Sequence, residues 1–473
     1  MKKNLISLTA IIAALSFAGC SSGDIAPTGG AGTVNAGGAS GSIAVEESSV
    51  PASTSRFEST DIGGKKDSFI NKIEGLFGDT AKDDGFFAAD ADMTEVAAGG
   101  ALAAETAPSA APSEEYVGVD ILPDDCIIID PPTIQPQSGL LTGGEWNDNA
   151  HWADWNALYS SHEDWKSYKN DWRIADNYRL TVTVKSDGKP LEGAKVTWGD
   201  TMSAVTDNKG KAYLFTDSDV PPSSVYVSGG VENDDVAAAM QVDWVPGEHD
   251  LTLSVDRDGE TSPIKQKLDL MIMCDTTGSM GDELEYLKVE LEDIVKSIKA
   301  QNANIPTRVS VNFYRDTDDD YVVRQFPFSE NIDEVAEAIR AQSANGGGDF
   351  PEAVHTALDS AVNKHDWDED SVKILFLVLD APPHEDAQIV DSVNKYVAQA
   401  AEMGIRIVPI ASSGIDKTTE YLLRSMAFTT GGTYTFLTDD SGVGYGHIEP
   451  TVGAYNVEKL KDMMIRIVNS YLT

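Results

Sequence analysis

Cysteine is scarce: three residues in a chain of 473 cannot build a disulfide framework. Basic residues are short as well, since 35 Lys and Arg face 77 Asp and Glu and leave a formal charge of −42. A field of that sign repels phosphate backbones and anionic headgroups, which argues against nucleic acid as a partner. Beyond the amino terminus there is no apolar run long enough to cross a bilayer, so a polytopic membrane protein is excluded. Signatures of several enzyme classes are also missing: there is no Ser-His-Asp order, no HExxH and no paired His. What remains is a chain with 41% apolar residues, enough for packed cores. Its length suggests about three folding units. The 40 Gly and 20 Pro point to stretches of loose chain between them.

The amino terminus carries an address. Met1-Lys2-Lys3 is a cationic start, followed by an apolar run from Leu5 to Gly19. At roughly 15 residues this run fits a signal peptide and falls short of the ~20 needed to span a bilayer. It ends in Phe17-Ala18-Gly19-Cys20-Ser21-Ser22, which resembles the bacterial lipobox, with Phe17 where Leu is usual. The resemblance implies that Cys20 is acylated and becomes the first residue of a chain anchored to a membrane. Ser21 and Ser22 then imply outer-membrane sorting in a cell with two membranes.

Behind residues 1–19 the composition divides the chain. Residues 20–140 are rich in Gly, Ala, Ser and Asp, bury too little apolar surface to offset chain entropy, and read as a flexible tether. Phe69, Ile70, Ile73, Leu76 and Phe77 have helical spacing inside it, and read as an isolated marginal helix. Residues 141–176 hold Trp146, Trp152, Trp155, Tyr159, Trp165, Tyr168 and Trp172, with Trp152, Trp155, Leu158 and Tyr159 on one helical face. A carbohydrate-stacking platform and a helical cap packed on the next domain both fit, and the cap is the reading taken. Residues 177–256 change to period two, with Arg179 to Val184 alternating and Ser186-Asp187-Gly188-Lys189 as a turn. The strings from Pro190 to Val196 and from Thr206 to Ala212 resemble a carboxypeptidase-regulatory, transthyretin-like β-sandwich. That resemblance implies a spacer with no catalytic role.

From residue 265 to 473 strands and helices alternate. Leu268 to Cys274 reads as a buried strand, and Leu284, Leu287, Leu291, Ile294, Val295 and Ile298 make a helix face. Further strands are expected at 308–313, 322–328, 372–379, 405–410 and 433–437, and Val457 to Tyr471 closes the chain as a helix. The pattern predicts an α/β doubly wound, parallel-dominated sheet, with ligands beyond the strand carboxyl ends at the switch point. Three loops there are rich in oxygen: Asp275-Thr276-Thr277-Gly278-Ser279, Gly346 to Glu352, and Asp380 after Lys373 to Leu379. Hard oxygen donors unaccompanied by Cys or His suit Mg²⁺, Mn²⁺ or Ca²⁺, not Zn²⁺.

These three ordered motifs resemble the von Willebrand factor A domain with its metal-ion-dependent adhesion site. The resemblance implies a metal held by Asp275, Thr277, Ser279, Asp349 and Asp380, with Thr277 and Ser279 as direct ligands and the two aspartates Asp275 and Asp380 acting mostly through water. Asp349 stands where many adhesive members have Thr. A charged ligand there weakens the pull on an external carboxylate, so metal binding with reduced or differently triggered capture of acidic ligands is expected. Asp316 to Asp320 and the turn Thr438 to Gly442 read as solvated loops, and His384 as structural. The function expected is that of a lipid-anchored, extracytoplasmic, non-enzymatic binding protein that docks a protein or peptide through a metal. An envelope-assembly scaffold and a metal-dependent hydrolase are the alternatives from other classes.

Overall fold

The computed structural model describes residues 135–228, 236–241, 247–255 and 267–472. The signal peptide, the helical island at 69–77, Cys20, Cys126 and nearly all of the tether lie outside the described residues.

The first described element is a strand, β1 (Thr142–Trp146), followed by helices α1 (Trp152–Ser161) and α2 (Trp165–Trp172). Next come β2 (Tyr178–Ser186), β3 (Lys189–Pro190), β4 (Lys195–Trp198), β5 (Met202–Val205), β6 (Lys211–Thr216), β7 (Ser224–Ser228), β8 (Val236–Gln241) and β9 (Gly247–Val255). They form two four-stranded sheets. In one, β2 lies between β3 and β6 and also pairs in parallel with β9; the other runs β5-β4-β7-β8. Leu180, Val182 and Val184 of the first sheet share a core with Val196, Trp198, Val225 and Val227 of the second, because period-two alternation points alternate residues the same way.

The carboxy-terminal part is α/β: β10 (Lys267–Asp275), α3 (Leu284–Gln301), β11 (Thr307–Tyr314), β12 (Val323–Arg324), α4 (Ile332–Arg340), α5 (Val354–Asn363), β13 (Ser371–Leu379), α6 (Ala387–Met403), β14 (Ile405–Ala411), α7 (Lys417–Thr430), β15 (Tyr434–Leu437), β16 (Glu458–Lys459) and α8 (Leu460–Leu472). Its sheet has the order β12-β11-β10-β13-β14-β15-β1-β16. β11, β10, β13, β14 and β15 run parallel, and the additions at both edges are antiparallel. Side chains alternate between two cores. Leu268, Leu270, Ile272 and Cys274 of β10 pack with α3 and α8, while Met271 and Met273 face α5 and α7. Both faces are covered, so β10 and β13 read as unbroken apolar runs.

Two expectations change. The stretch expected as a strand over 322–328 forms only the two-residue β12, because its other residues run as a connection that touches the sheet at the single Val309–Ser329 bridge. Thr142–Trp146, expected within a helical segment, is a strand inserted between β15 and β16. The Trp-rich segment is a cap, but it packs on α7 of the large sheet more than on the small sheets. Trp155 meets Tyr421 and Phe428 with ring centroids 5.0 Å apart in each case, and Trp165 meets Tyr421 at 5.1 Å.

Candidate functional site

In the large sheet the chain leaves β10 to one side for β11 and returns on the other side for β13, so the crevice lies beyond the carboxyl ends of β10 and β13. Asp275 is the last residue of β10, and Asp380 follows the last residue of β13.

Backbone hydrogen bonds lock the three loops together. Gly278 N–H donates to Gly346 O at 3.1 Å, and Asn345 N–H donates to Thr276 O at 3.1 Å. Glu352 N–H donates to Pro382 O at 2.8 Å, within a parallel bridge between Glu352 and Pro383. Two glycines of the second loop are there for conformation and space. Gly346 has φ +80°, and a Cβ on it would lie 2.0 Å from Asp319 Oδ1. Gly347 has φ +72°, and a Cβ there would lie 2.9 Å from Glu352 Oε1 and 3.4 Å from Thr277 Cβ. Gly347 is therefore the gap across which Glu352 approaches Thr277.

Within this frame Asp275 is wholly buried. Its Oδ1 accepts from Thr277 N–H at 2.8 Å and from the Thr277 hydroxyl at 2.7 Å, and the Thr277 and Ser279 hydroxyls are 3.1 Å apart. The Ser279 hydroxyl also reaches Asp380. The structure thus brings Asp275, Thr277, Ser279 and Asp380 together. It places Asp349 elsewhere on the rim: its side chain is exposed and makes no hydrogen bond among the described residues. The buried acid of the second loop is Glu352, 2% exposed, which the motif reading passed over.

The electrostatics are those of carboxylates crowded without counter-charge. Burial pushes Glu352 up to about 9, helped by the charges of Asp275, Asp316, Asp380 and Asp319. Burial raises Asp380 to about 7, with the Asp275 charge adding to it. Burial also raises Asp275, to about 6, against the hydrogen bonds from Thr277 that lower it. Asp275 Oδ2, Asp380 Oδ1 and Glu352 Oε2 are buried with no hydrogen-bond partner. Three buried lone-pair sites without donors call for a positive group. The donors are oxygens throughout and suit a hard divalent cation. Among the described residues no three His, Cys, Asp or Glu side chains are arranged to hold a metal by themselves, so hydroxyl oxygens have to complete any such shell.

The second acidic loop departs from a solvated one. Asp316 is 8% exposed and its Oδ1 lies 3.0 Å from His384 Nε2, while Asp319 Oδ2 accepts from Gly347 N–H at 2.8 Å and Asp316 N–H at 3.0 Å. His384 is accordingly a structural partner of Asp316. The loop after β15 closes on the same edge: His447 sits between Glu283 and Asp439, with a ring nitrogen 2.8 Å from each carboxylate.

Comparison with known proteins agrees with this geometry. Residues 269–444 match the family model of the von Willebrand factor A domain. The chain is 34% identical over 133 residues, 28% of its own length and 12% of the relative's, to a putative ariadne-like RING finger protein of Acanthamoeba polyphaga mimivirus. It is 28% identical over 120 residues, 25% of its own length and 19% of the relative's, to the alpha-protein kinase vwkA of Dictyostelium discoideum. The chain thus spans well under a fifth of each of these relatives. The parallel sheet, its switch-point crevice and the family match converge: a von Willebrand factor A domain is present at residues 269–444.

Proposed function

We propose that the crevice of this domain binds a divalent cation, Mg²⁺ or else Mn²⁺ or Ca²⁺, and docks a protein partner there without chemical turnover. The observation that carries the reading is the set of three buried, unpaired carboxylate oxygens on Asp275, Asp380 and Glu352 beside the Thr277 and Ser279 hydroxyls. Thr277, Ser279, Asp275 and Asp380 would hold the ion, and the second loop would add Asp349 from the rim or Glu352 from within. A bound cation supplies a Lewis-acidic position for a partner's carboxylate. The chain's own contribution is to exclude water beneath it, fix the two hydroxyls, and set how much negative charge already surrounds the ion. Exposed Phe350, at 45%, and Tyr445, at 76%, stand on the two loops beside the crevice and offer aromatic contacts of the kind that anchor protein interfaces.

The rest of the reading extends the same proposal. The β2–β9 sheets serve as a carboxypeptidase-regulatory-like spacer, and the lipidated Cys20 anchors the chain on the outer side of a membrane. No helix among the described residues is long and apolar enough to cross a bilayer, so attachment would rest on the acylated amino terminus. The enzymatic names of the two relatives describe proteins of which the shared segment is a small part, and no nucleophile–base pair lies in the crevice.

The decisive experiment is a pull-down from envelopes with and without EDTA, paired with Mg²⁺ calorimetry on the full chain. Expected results are a partner lost in EDTA, heat of binding with the wild type, none with Asp275→Ala, and loss of the Cys20→Ser chain from the membrane fraction. Equal heats from wild type and Asp275→Ala would remove the metal site. A partner indifferent to EDTA would favour the constitutive scaffold.

A further inference from the structure

A second cavity lies away from the carboxylate crevice, between the Trp-rich cap and the loop that follows β15. Its volume is about 750 Å³, within the range of roughly 300–1,000 Å³ usual for ligand pockets. The apolar part of its lining comes from Trp146, Leu158, Trp165, Tyr168 and Val452.

The polar part is more telling. Lys417 and Arg424 line the cavity but are internally committed: Lys417 Nζ donates to Glu420 Oε2 at 2.8 Å, and Arg424 donates to both oxygens of Asp148 at 2.6 and 3.0 Å. Asp154, Asp164 and Glu449 also line it, and their carboxylates make no hydrogen bond or ion pair among the described residues. Trp165 adds an unmet donor. It is 1% exposed, packs against Trp155, Tyr168 and Tyr421, and its indole Nε1–H is buried without an acceptor. A buried donor left unpaired is costly, whereas the structure pairs the indoles of its neighbours: Trp155 donates to Asp176 at 2.8 Å and Trp172 to the Thr418 hydroxyl at 2.8 Å.

A ligand that answers all three features has to accept from the indole, donate to carboxylates, and lay apolar surface on an aromatic wall. A Lys or Arg side chain meets only the carboxylates, leaves Trp165 unmet, and enters beside two committed cations. A sugar ring carries hydroxyls that both donate and accept, on a framework whose C–H faces pack on aromatic rings. We propose that this cavity binds a neutral oligosaccharide, independently of any cation at the other site.

The test uses the full chain on a printed array of neutral glycans in EDTA, followed by titration of tryptophan fluorescence with the strongest hit. Saturable binding in EDTA is expected. Ala157→Arg places a long side chain into the cavity from an exposed position of α1 and should abolish binding without lowering thermal stability. Trp165→Phe keeps the ring, removes the donor, and should weaken binding by about tenfold, the loss of one well-placed hydrogen bond. An array without binders, or Ala157→Arg binding as well as the wild type, overturns the proposal. So does saturation by a Lys-rich peptide in place of any glycan.

Discussion

Glu352 sits 2% exposed beneath the second loop, with one oxygen unpaired and four aspartates as its charged neighbours. Its ordinary value of 4.5 rises to about 9, first through burial and then through the Asp275 charge. A carboxylate whose folded value is raised costs nothing below its unfolded value. As pH climbs from 4.5 toward 9 the unfolded chain ionises the group and the folded chain resists, so stability falls across that window. Glu352→Gln removes the conflict. In chelator its melting temperature should match the wild type near pH 4, exceed it by a growing margin up to about pH 9, and lose the advantage when Mg²⁺ is added. A constant difference across pH would show that Glu352 is not the group under strain. The sequence exposes this residue only in part. Gly346 to Glu352 stands out as an oxygen-rich loop, but which of its two acids turns inward depends on Glu352 bonding across to Pro382, a contact 30 residues away that composition and spacing do not encode.

The segment from Thr438 to Val457 lies over the crevice edge through a few polar contacts. Tyr445 N–H donates to Asp282, and His447 bridges Glu283 and Asp439. Burial alone would lower the His447 value from 6.5, but the hydrogen bonds to the two carboxylates outweigh it and raise the result. A histidine that donates from both ring nitrogens is protonated, so the clamp is fully present below pH 6.5 and fades as pH rises through the raised value. Amide exchange in residues 438–457 should therefore quicken between about pH 6 and pH 9 beyond the intrinsic rate. His447→Gln should exchange fast throughout. A wild-type loop with no such excess would show that other contacts hold it. How elements were legible follows from how they are held. β10, β13 and β14 are buried on both faces and announce themselves as apolar runs. β1 hides, since Gly143 and Gly144 are poor strand formers in isolation. Its place is set by pairing with Leu437 and Phe436, nearly 300 residues on, and by space: a Cβ on Gly144 would lie 2.5 Å from the Phe436 ring.

From Ser138 onward the described chain is stitched across its sequence segments. Asn149 donates to Phe428 O, Arg406 to Val205 O and Asn208 to Ser470 O, and Ala401 of α6 belongs to the core of the small sheets. The most buried of these ties is the Arg424–Asp148 pair, each side chain 1% exposed, with Glu420 a further 3.6 Å away and wholly buried. Trp155 and Trp165 lie over the same guanidinium, 5.0 and 5.4 Å from its carbon. A surface tether would leave the cap free to unfold alone. A buried ion pair under two tryptophans instead makes the cap part of the same cooperative unit as the von Willebrand factor A domain. Arg424→Leu leaves Asp148 and Glu420 as uncompensated buried charges and should cost about 3–5 kcal/mol in denaturant unfolding of the full chain. Adding Asp148→Asn should return part of that loss, since it removes one of the stranded charges. Near-ultraviolet circular dichroism, dominated by the cap tryptophans, and far-ultraviolet signal from the large sheet should report one shared transition. Were the tryptophan signal lost first, with the far-ultraviolet midpoint unmoved by Arg424→Leu, the cap would be a separate unit resting on α7. The sugar-sized cavity it encloses would then open and close with the cap itself.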